Sequence, residues 1–138
     1  MSQIPLTYGV HHIGLTVPNV AETADFFVSV LGFTRVGTRP DYPAVFIRDA
    51  GVLLSLWQVQ EKDRLVPFER KNTVGLHHLA LSVDGEQGLA LGFERLSRAS
   101  GVTIEFGPQP LGKGPSRHMM CQIPGGIRLE LIAAAPPK

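Results

Sequence analysis

The chain has little cysteine, little charge imbalance and no long apolar run. Cys121 is the single cysteine among 138 residues, which excludes an intramolecular disulfide and favours a reducing, cytoplasmic location. The formal net charge is +1, which creates no strong field to attract nucleic acid or an acidic membrane surface. No apolar stretch approaches the roughly 20 residues of a membrane-spanning helix, and the opening residues lack the pattern of a secretory signal. We therefore expect neither nucleic acid nor a membrane as a partner.

Two segments of the chain repeat each other. Residues 11–17 read HHIGLTV and residues 77–83 read HHLALSV, and these segments hold four of the five histidines. Each segment is followed by apolar residues at helix spacing, and then by strand-like segments that end in a hairpin. At an offset of 75 residues along the two final hairpins, Ser55 matches Glu130 and Phe46 matches Cys121. The sequence therefore predicts two copies of a β-α-β-β-β module.

The predicted organisation is one α+β domain over residues 1–138. The chain is 43% hydrophobic and 18% charged, which is typical of a globular domain with a core of its own. The first module covers about residues 8–66 and the second about residues 75–133. A linker rich in turn-forming and polar residues joins them at about residues 67–74.

Strand alternation divides the four repeated histidines between two faces. His12 shares one face of its strand with Thr16, and His78 shares the matching face with Ser82. The opposite faces carry the large apolar side chains that must pack on the helices. Small residues beside His12 and His78 leave room, so we predict that these two histidines face a cavity. The first histidine of each pair is predicted to be structural, on the helix-packing face.

Glu130 is the third residue that suggests a metal site. It lies in the apolar strand RLELI, where burying a carboxylate without a partner is costly. A divalent ion bound by His12, His78 and Glu130 would supply that partner. Two histidines and one carboxylate with open positions favour Fe(II) and are compatible with Mn, Zn, Ni or Co. A hydrogen-bonded structural pair is the alternative explanation of one HH motif, but two motifs at matching positions favour metal binding.

These motifs together resemble the vicinal oxygen chelate superfamily, which includes glyoxalase I, extradiol dioxygenases, fosfomycin-resistance enzymes, methylmalonyl-CoA epimerase and bleomycin-resistance proteins. The resemblance rests on HHIGLTV with its following Pro-Asn, on HHLALSVDG and on PGGIRLELI, and it covers about residues 8–133. It implies that the two modules curl into a cup-shaped mixed sheet around one metal site, that the substrate is a small molecule and that the chain forms a homodimer. Family ligands come from the first and last strands of each module, which here are His12, Ser55, His78 and Glu130.

Ser55 decides which members of the family the site resembles, because serine is a poor ligand for a divalent ion. Glyoxalase I and methylmalonyl-CoA epimerase have a stronger ligand there, whereas extradiol dioxygenases and fosfomycin-resistance enzymes use a His-His-Glu set. The resemblance thus implies a dioxygenase-like enzyme, with extradiol ring cleavage or related oxygen chemistry. One alternative is a glyoxalase I-like lyase or isomerase that acts on a small oxygenated or thiol-conjugated substrate. The other is a non-catalytic, drug-binding protein of the bleomycin-resistance kind.

Further residues are candidates for catalysis and substrate binding. His118, in PSRHMM just before the last hairpin, is a candidate acid or base because histidine side chains change charge near neutral pH. Arg117 beside it is suited to hold a carboxylate or a phosphate. The full set of predicted substrate-pocket residues is Thr16, Ser55, Trp57, Ser82, Arg117 and Arg128.

Overall fold

The computed structural model describes residues 3–134, which form two modules with the same order of elements. The first module consists of β1 (His12–Val17), α1 (Val20–Ser29), β2 (Thr34–Arg39), β3 (Ala44–Arg48) and β4 (Leu53–Gln58). The second consists of β5 (Leu79–Ser82), α2 (Gly85–Arg98), β6 (Thr103–Pro110), β7 (Arg117–Gln122) and β8 (Arg128–Ala133). This order confirms the predicted α+β fold of two β-α-β-β-β modules. No helix in the described range is long and apolar enough to cross a membrane.

Each module forms its own four-stranded mixed sheet. The strand orders are β1-β4-β3-β2 and β5-β8-β7-β6, with β1–β4 and β5–β8 parallel and the other pairs antiparallel. Within residues 3–134, no strand of one sheet is hydrogen-bonded to a strand of the other. The expected cup is therefore not closed within one chain, and β1 and β5 each leave one edge without a strand neighbour.

The helices cover one face of each sheet. Helix α1 begins where the Asn19 side chain accepts a hydrogen bond from the backbone N–H of Glu22 at 3.1 Å, as an N-cap does. It buries Ala24 and Phe27 completely, and α2 likewise buries Leu96. Full burial of one such large apolar side chain stabilises the fold by about 1.5–3 kcal/mol. The apolar core thus lies between helices and sheets, and the opposite sheet faces remain for a site.

The register of the last hairpins corrects one feature of the sequence alignment. Phe46 pairs with Ser55, but Met120, not Cys121, pairs with Glu130. Cross-strand partners point to the same face, so Met120 shares the face of Glu130 while Cys121 is fully buried in the core. Burial there raises the pKa of the thiol to about 12. The offset of 75 holds for β4 and β8 and falls to 74 for β3 and β7, because the second hairpin loop is one residue longer.

A glycine allows the two modules of one chain to touch. The Thr23 hydroxyl on α1 donates to the backbone carbonyl of Pro124 at 3.2 Å. The next residue, Gly125, has a φ of 101°, and a Cβ there would lie 2.7 Å from the Thr23 hydroxyl oxygen. Both the left-handed backbone and the close approach require glycine. The β7–β8 hairpin is thereby fixed against the helix of the other module.

Candidate metal centre

The open face of the second sheet gathers the polar side chains of the candidate site. The β5–β8 register places Ala80 beside Glu130, and the β7–β8 register places Met120 on the other side of Glu130. His118 lies two residues before Met120 and shares its face, because side chains alternate along a strand. His78 directly precedes β5, and its Nε2 lies 3.4 Å from Glu130 Oε1 on this face. Three residues singled out from the sequence therefore meet on one sheet.

Glu130 is the centre of this group. It is only 7% exposed, although it carries a carboxylate. Its Oε1 lies 3.4 Å from His78 Nε2, and its Oε2 lies 2.5 Å from His118 Nδ1. The Phe106 ring packs on the other side of the His118 imidazole, with 4.9 Å between ring centroids. A buried carboxylate and an imidazole that face each other form a donor pair suited to a borderline divalent cation.

His12 lies on the other sheet, apart from this group. It is exposed, and the β1–β4 register pairs it with Leu53. Among residues 3–134, no group of three or more His, Cys, Asp and Glu side chains is arranged to hold a metal ion. The structure thus brings two of the predicted ligands, His78 and Glu130, together in one chain and leaves the third separate.

The two HH motifs have the same local geometry. The Nδ1 atoms of His11 and His12 are 2.9 Å apart, and those of His77 and His78 are 2.8 Å apart. Both ring pairs meet edge to face. The prediction that His11 and His77 pack against the helices is wrong, because both are exposed. Each instead contacts Nδ1 of the following histidine, so the Nε2 atom of that histidine is available for other contacts.

Arg128 connects the second HH motif to a carboxylate that the sequence analysis missed. Its Nη2 lies 2.8 Å from Glu105, its Nε lies 3.0 Å from both oxygens of the same carboxylate, and its Nη1 lies 3.4 Å from His77 Nδ1. The Arg128 hydrogen bond, aided by the charges of Arg128, Arg70 and His77 and opposed by partial burial, lowers the pKa of Glu105. The available signal was an acidic residue between two large apolar residues of β6, Ile104 and Phe106.

On the first sheet, Ser55 is already engaged. The residue is only 2% exposed, and its hydroxyl accepts a hydrogen bond from the Trp57 indole N–H at 3.0 Å. A Cβ on Gly14 would lie 3.2 Å from the same oxygen, so the space beside Ser55 is narrow. The Trp57 ring meets the Tyr42 ring at 5.0 Å between centroids. Ser55 and Trp57 therefore form part of a packed wall.

The remaining predicted pocket residues lie at other places. Thr16 lines an open cavity of about 850 Å³ that is also bordered by Tyr42 and by linker residues. Ser82 borders a smaller cavity of about 160 Å³ beside α2, which is also lined by residues that follow α1. The Arg117 guanidinium donates to the backbone carbonyl of Pro108 at 3.4 Å and lies 3.7 Å from Glu86. The structure does not gather these three side chains around Glu130.

Comparison with known proteins identifies the family. Residues 9–131 match the sequence model of the Glyoxalase/Bleomycin resistance protein/Dioxygenase superfamily, and the chain belongs to this family. This confirms the resemblance seen in the motifs. Members of the family act on small molecules and commonly bind a divalent metal such as Mn(II).

Particular relatives add detail. The chain is 28% identical to a 2-epi-5-epi-valiolone epimerase of Actinomyces sp., over 96% of this chain and 85% of that protein. Its fold matches a glyoxylase/bleomycin resistance protein/dioxygenase domain from Frankia sp. with a TM-score of 0.80 and 20% identity, covering 96% of both chains. It also matches a mutant of the fosfomycin resistance protein FosX from Listeria monocytogenes, complexed with Mn(II) and 1S,2S-dihydroxypropylphosphonic acid. That match has a TM-score of 0.72 and 19% identity, covering 94% of this chain and 93% of that chain.

Proposed function

We propose that this protein is a metal-dependent isomerase that moves a proton beside a carbonyl group of a small polyoxygenated substrate. The observation that carries the proposal is the buried carboxylate of Glu130, which faces His78 with one oxygen at 3.4 Å and His118 with the other at 2.5 Å. One carboxylate thereby contacts both a proposed cation ligand, His78, and a proposed acid-base group, His118. The relative of Actinomyces sp. is an epimerase, which supports isomerisation over the other chemistries of the family.

His78 and Glu130, together with His12, are the residues proposed to hold the metal ion. The two-histidine, one-carboxylate set favours Fe(II), and Mn(II), which is present in the FosX complex, is the next candidate before Zn, Ni and Co. When bound, a divalent ion supplies positive charge that stabilises negative charge on a substrate oxygen.

His118 is the proposed acid-base group. The carboxylate of Glu130 accepts a hydrogen bond from His118 Nδ1, which leaves the lone pair on Nε2. The same carboxylate–imidazole arrangement orients the base in catalytic triads. The Phe106 ring limits rotation of the imidazole from one side. Nε2 is thus the atom that would accept the substrate proton and return it.

A second copy of the chain is the proposed source of His12. Strands β1 and β5 lie at open sheet edges, and each begins at or directly after an HH motif. Open edges favour strand pairing with another chain. If β1 of one copy lies beside β5 of another, the cup closes and His12 approaches His78 and Glu130 of the other copy. A two-fold symmetric homodimer then contains two equal sites.

Dioxygenase chemistry is the second candidate. The engagement of Ser55 with Trp57 favours it, because the protein then offers three ligands and leaves room for a catechol and O2. It consumes O2, whereas isomerisation does not, and this separates the two candidates.

Metal analysis of anaerobically purified protein, followed by two assays, tests the proposal. We expect about one divalent ion per chain and deuterium incorporation from D2O beside the carbonyl of cyclic polyhydroxy ketones. In His118→Asn this exchange falls by about 100-fold while the ion remains bound, because asparagine can still donate to Glu130 but cannot act as a base. Oxygen uptake with catechols would instead support the dioxygenase. Ligand binding without metal, unchanged in His12→Ala and Glu130→Ala, would support a non-catalytic drug-binding protein.

A further inference from the structure

We propose that Arg128 and His77 are positioning residues that fix the tautomer of His78 and present its Nε2 lone pair to a cation. The inference rests on the proposed role of His78 as a metal ligand. It follows an unbroken line of polar contacts that runs from Glu105 through Arg128, His77 and His78 to Glu130.

The first step is the fixed position of the Arg128 guanidinium. Its Nε and Nη2 lie 3.0 Å and 2.8 Å from the Glu105 carboxylate, and the side chain is only 12% exposed. Arg70 approaches the same carboxylate from another side at 3.3 Å. A two-point contact between a planar guanidinium and a carboxylate sets the direction of the remaining nitrogen as well. Arg128 Nη1 is therefore aimed at His77.

The second step sets the tautomer of His77. Arg128 Nη1 lies 3.4 Å from His77 Nδ1. A guanidinium carries donors and no acceptor, so a hydrogen on His77 Nδ1 would place two donors against each other. The lone pair of the neutral imidazole therefore lies on Nδ1, and its hydrogen lies on Nε2.

The third step passes this choice to His78. Its Nδ1 is 2.8 Å from His77 Nδ1, so one of the two atoms must donate and the other accept. The single lone pair of His77 Nδ1 is then shared between two donors, Arg128 Nη1 at 3.4 Å and His78 Nδ1 at 2.8 Å, so the hydrogen lies on His78 Nδ1 and the lone pair on His78 Nε2. That lone pair faces Glu130 Oε1 across 3.4 Å. Two acceptors that face each other repel, and a cation bound between them is attracted by both lone pairs.

The first module is an internal control for this argument. His11 and His12 repeat the contact between Nδ1 atoms at 2.9 Å. The β1–β4 register pairs His12 with Leu53, which stands where Arg128 stands in the second module. Leucine has no donor, so this position does not select a tautomer for the first pair. The HH motif alone does not determine the tautomer of its second histidine, and Arg128 determines it for His78.

Three substitutions test this series of contacts from Arg128 through His77 to His78, here called the relay. Arg128→Leu gives the second module the residue that the first module already has, so the fold has a precedent for it. Arg70→Leu is the matched control, because it removes another arginine from Glu105 without touching His77. His77→Phe removes the acceptor itself. For each, ¹⁵N–¹H spectra of the histidine rings in metal-free protein report the tautomers, and competition with a fluorescent chelator reports the Zn²⁺ dissociation constant.

We expect His77 to carry its hydrogen on Nε2 in the unmodified protein and in Arg70→Leu, and to lose this preference in Arg128→Leu. Arg128→Leu and His77→Phe should each weaken Zn²⁺ binding by about tenfold, and the double variant no more than either alone, because the residues act in series. Equal Zn²⁺ affinity in Arg128→Leu and Arg70→Leu, or a hydrogen on His77 Nδ1, would overturn the relay. The expected tautomers in a protein that binds no divalent ion would overturn the proposed function and leave the relay standing.

Discussion

The two modules share one backbone plan but differ in what their open faces carry. Three equivalent positions show the difference: Leu53, Ser55 and Ala44 in the first module correspond to Arg128, Glu130 and His118 in the second. The HH motif is common to both, with nearly the same spacing between Nδ1 atoms. These three differences on one strand pair give the second module charged and titratable groups where the first has a packed wall. The core behind the two sheets remains equivalent. Under the proposed function, the first module supplies one metal-binding histidine, His12, and the second supplies the other proposed ligands and the acid-base group.

The largest expected effect is on metal affinity, and it comes from substituting Glu130 on β8, with the equivalent residue Ser55 on β4 as the comparison. Glu130→Gln keeps the shape of the side chain but removes the anionic ligand, so we expect the affinity for a divalent ion to fall by roughly 100-fold or more. Ser55→Ala should leave that affinity within about twofold, because Ser55 is bound to Trp57 rather than aimed at the site. Isothermal titration with Mn²⁺ and Zn²⁺ measures both.

Thermal unfolding of the same two variants is the control for that measurement. Glu130→Gln should keep a cooperative transition, because an amide can still contact both neighbouring histidines. A comparable loss of metal affinity in Ser55→Ala would contradict the division of roles between the modules.

A mixing experiment gives the next largest effect and tests whether the modules combine across chains. His12→Ala and Glu130→Ala should each bind the metal poorly alone. If a second copy supplies His12, refolding the two variants together restores roughly a quarter of the sites, because half of the dimers are mixed and each mixed dimer has one intact site. Metal content after removal of free ions measures this fraction.

No recovery in that mixture, together with full binding by the unmodified protein as a monomer in sedimentation, would show that one chain completes its own site. A mixture of Ser55→Ala with Glu130→Ala is the matched control. In that mixture, recovery does not depend on crossing between chains, because one partner is expected to be fully competent.

Much of the fold was predictable from short-range patterns, and so was part of the candidate site. Strand alternation placed Glu130 and His78 on one open face, and the repeat predicted the order of elements. The same alternation failed at His11 and His77, because β1 begins at His12 and β5 begins at Leu79. Residues outside a strand need not follow its two-residue period; His78 also lies outside β5, and its contact with Glu130 is what places it on the open face.

Other features depend on information that a pattern of residue types does not hold. The position of Met120 beside Glu130 follows from one extra residue in a hairpin loop, which changes the register of a single strand. The ion pair between Glu105 and Arg128 joins residues far apart in the chain through sheet pairing. Closure of the cup depends on a neighbour for two open edges, and the sequence of one chain does not specify where that neighbour comes from.

The smallest expected effect concerns the packed wall of the first module. Trp57→Phe removes the indole N–H that donates to the hydroxyl of Ser55, a residue only 2% exposed. An unsatisfied buried hydroxyl and the lost ring volume should lower the free energy of unfolding by about 1–3 kcal/mol, measured in urea. Metal affinity should remain unchanged, since the equivalent residue of the second module, Ile132, carries no polar atom.

Tyr42→Phe is the control for that variant. It keeps the ring that meets Trp57 at 5.0 Å between centroids and loses only a hydroxyl on a partly exposed side chain, so its effect on stability should stay within about 0.5 kcal/mol. A drop in metal affinity in Trp57→Phe but not in Tyr42→Phe would mean that the freed Ser55 hydroxyl reaches the ion. The first module would then contribute a second group besides His12, and the contrast between a structural and a chemical module would no longer hold.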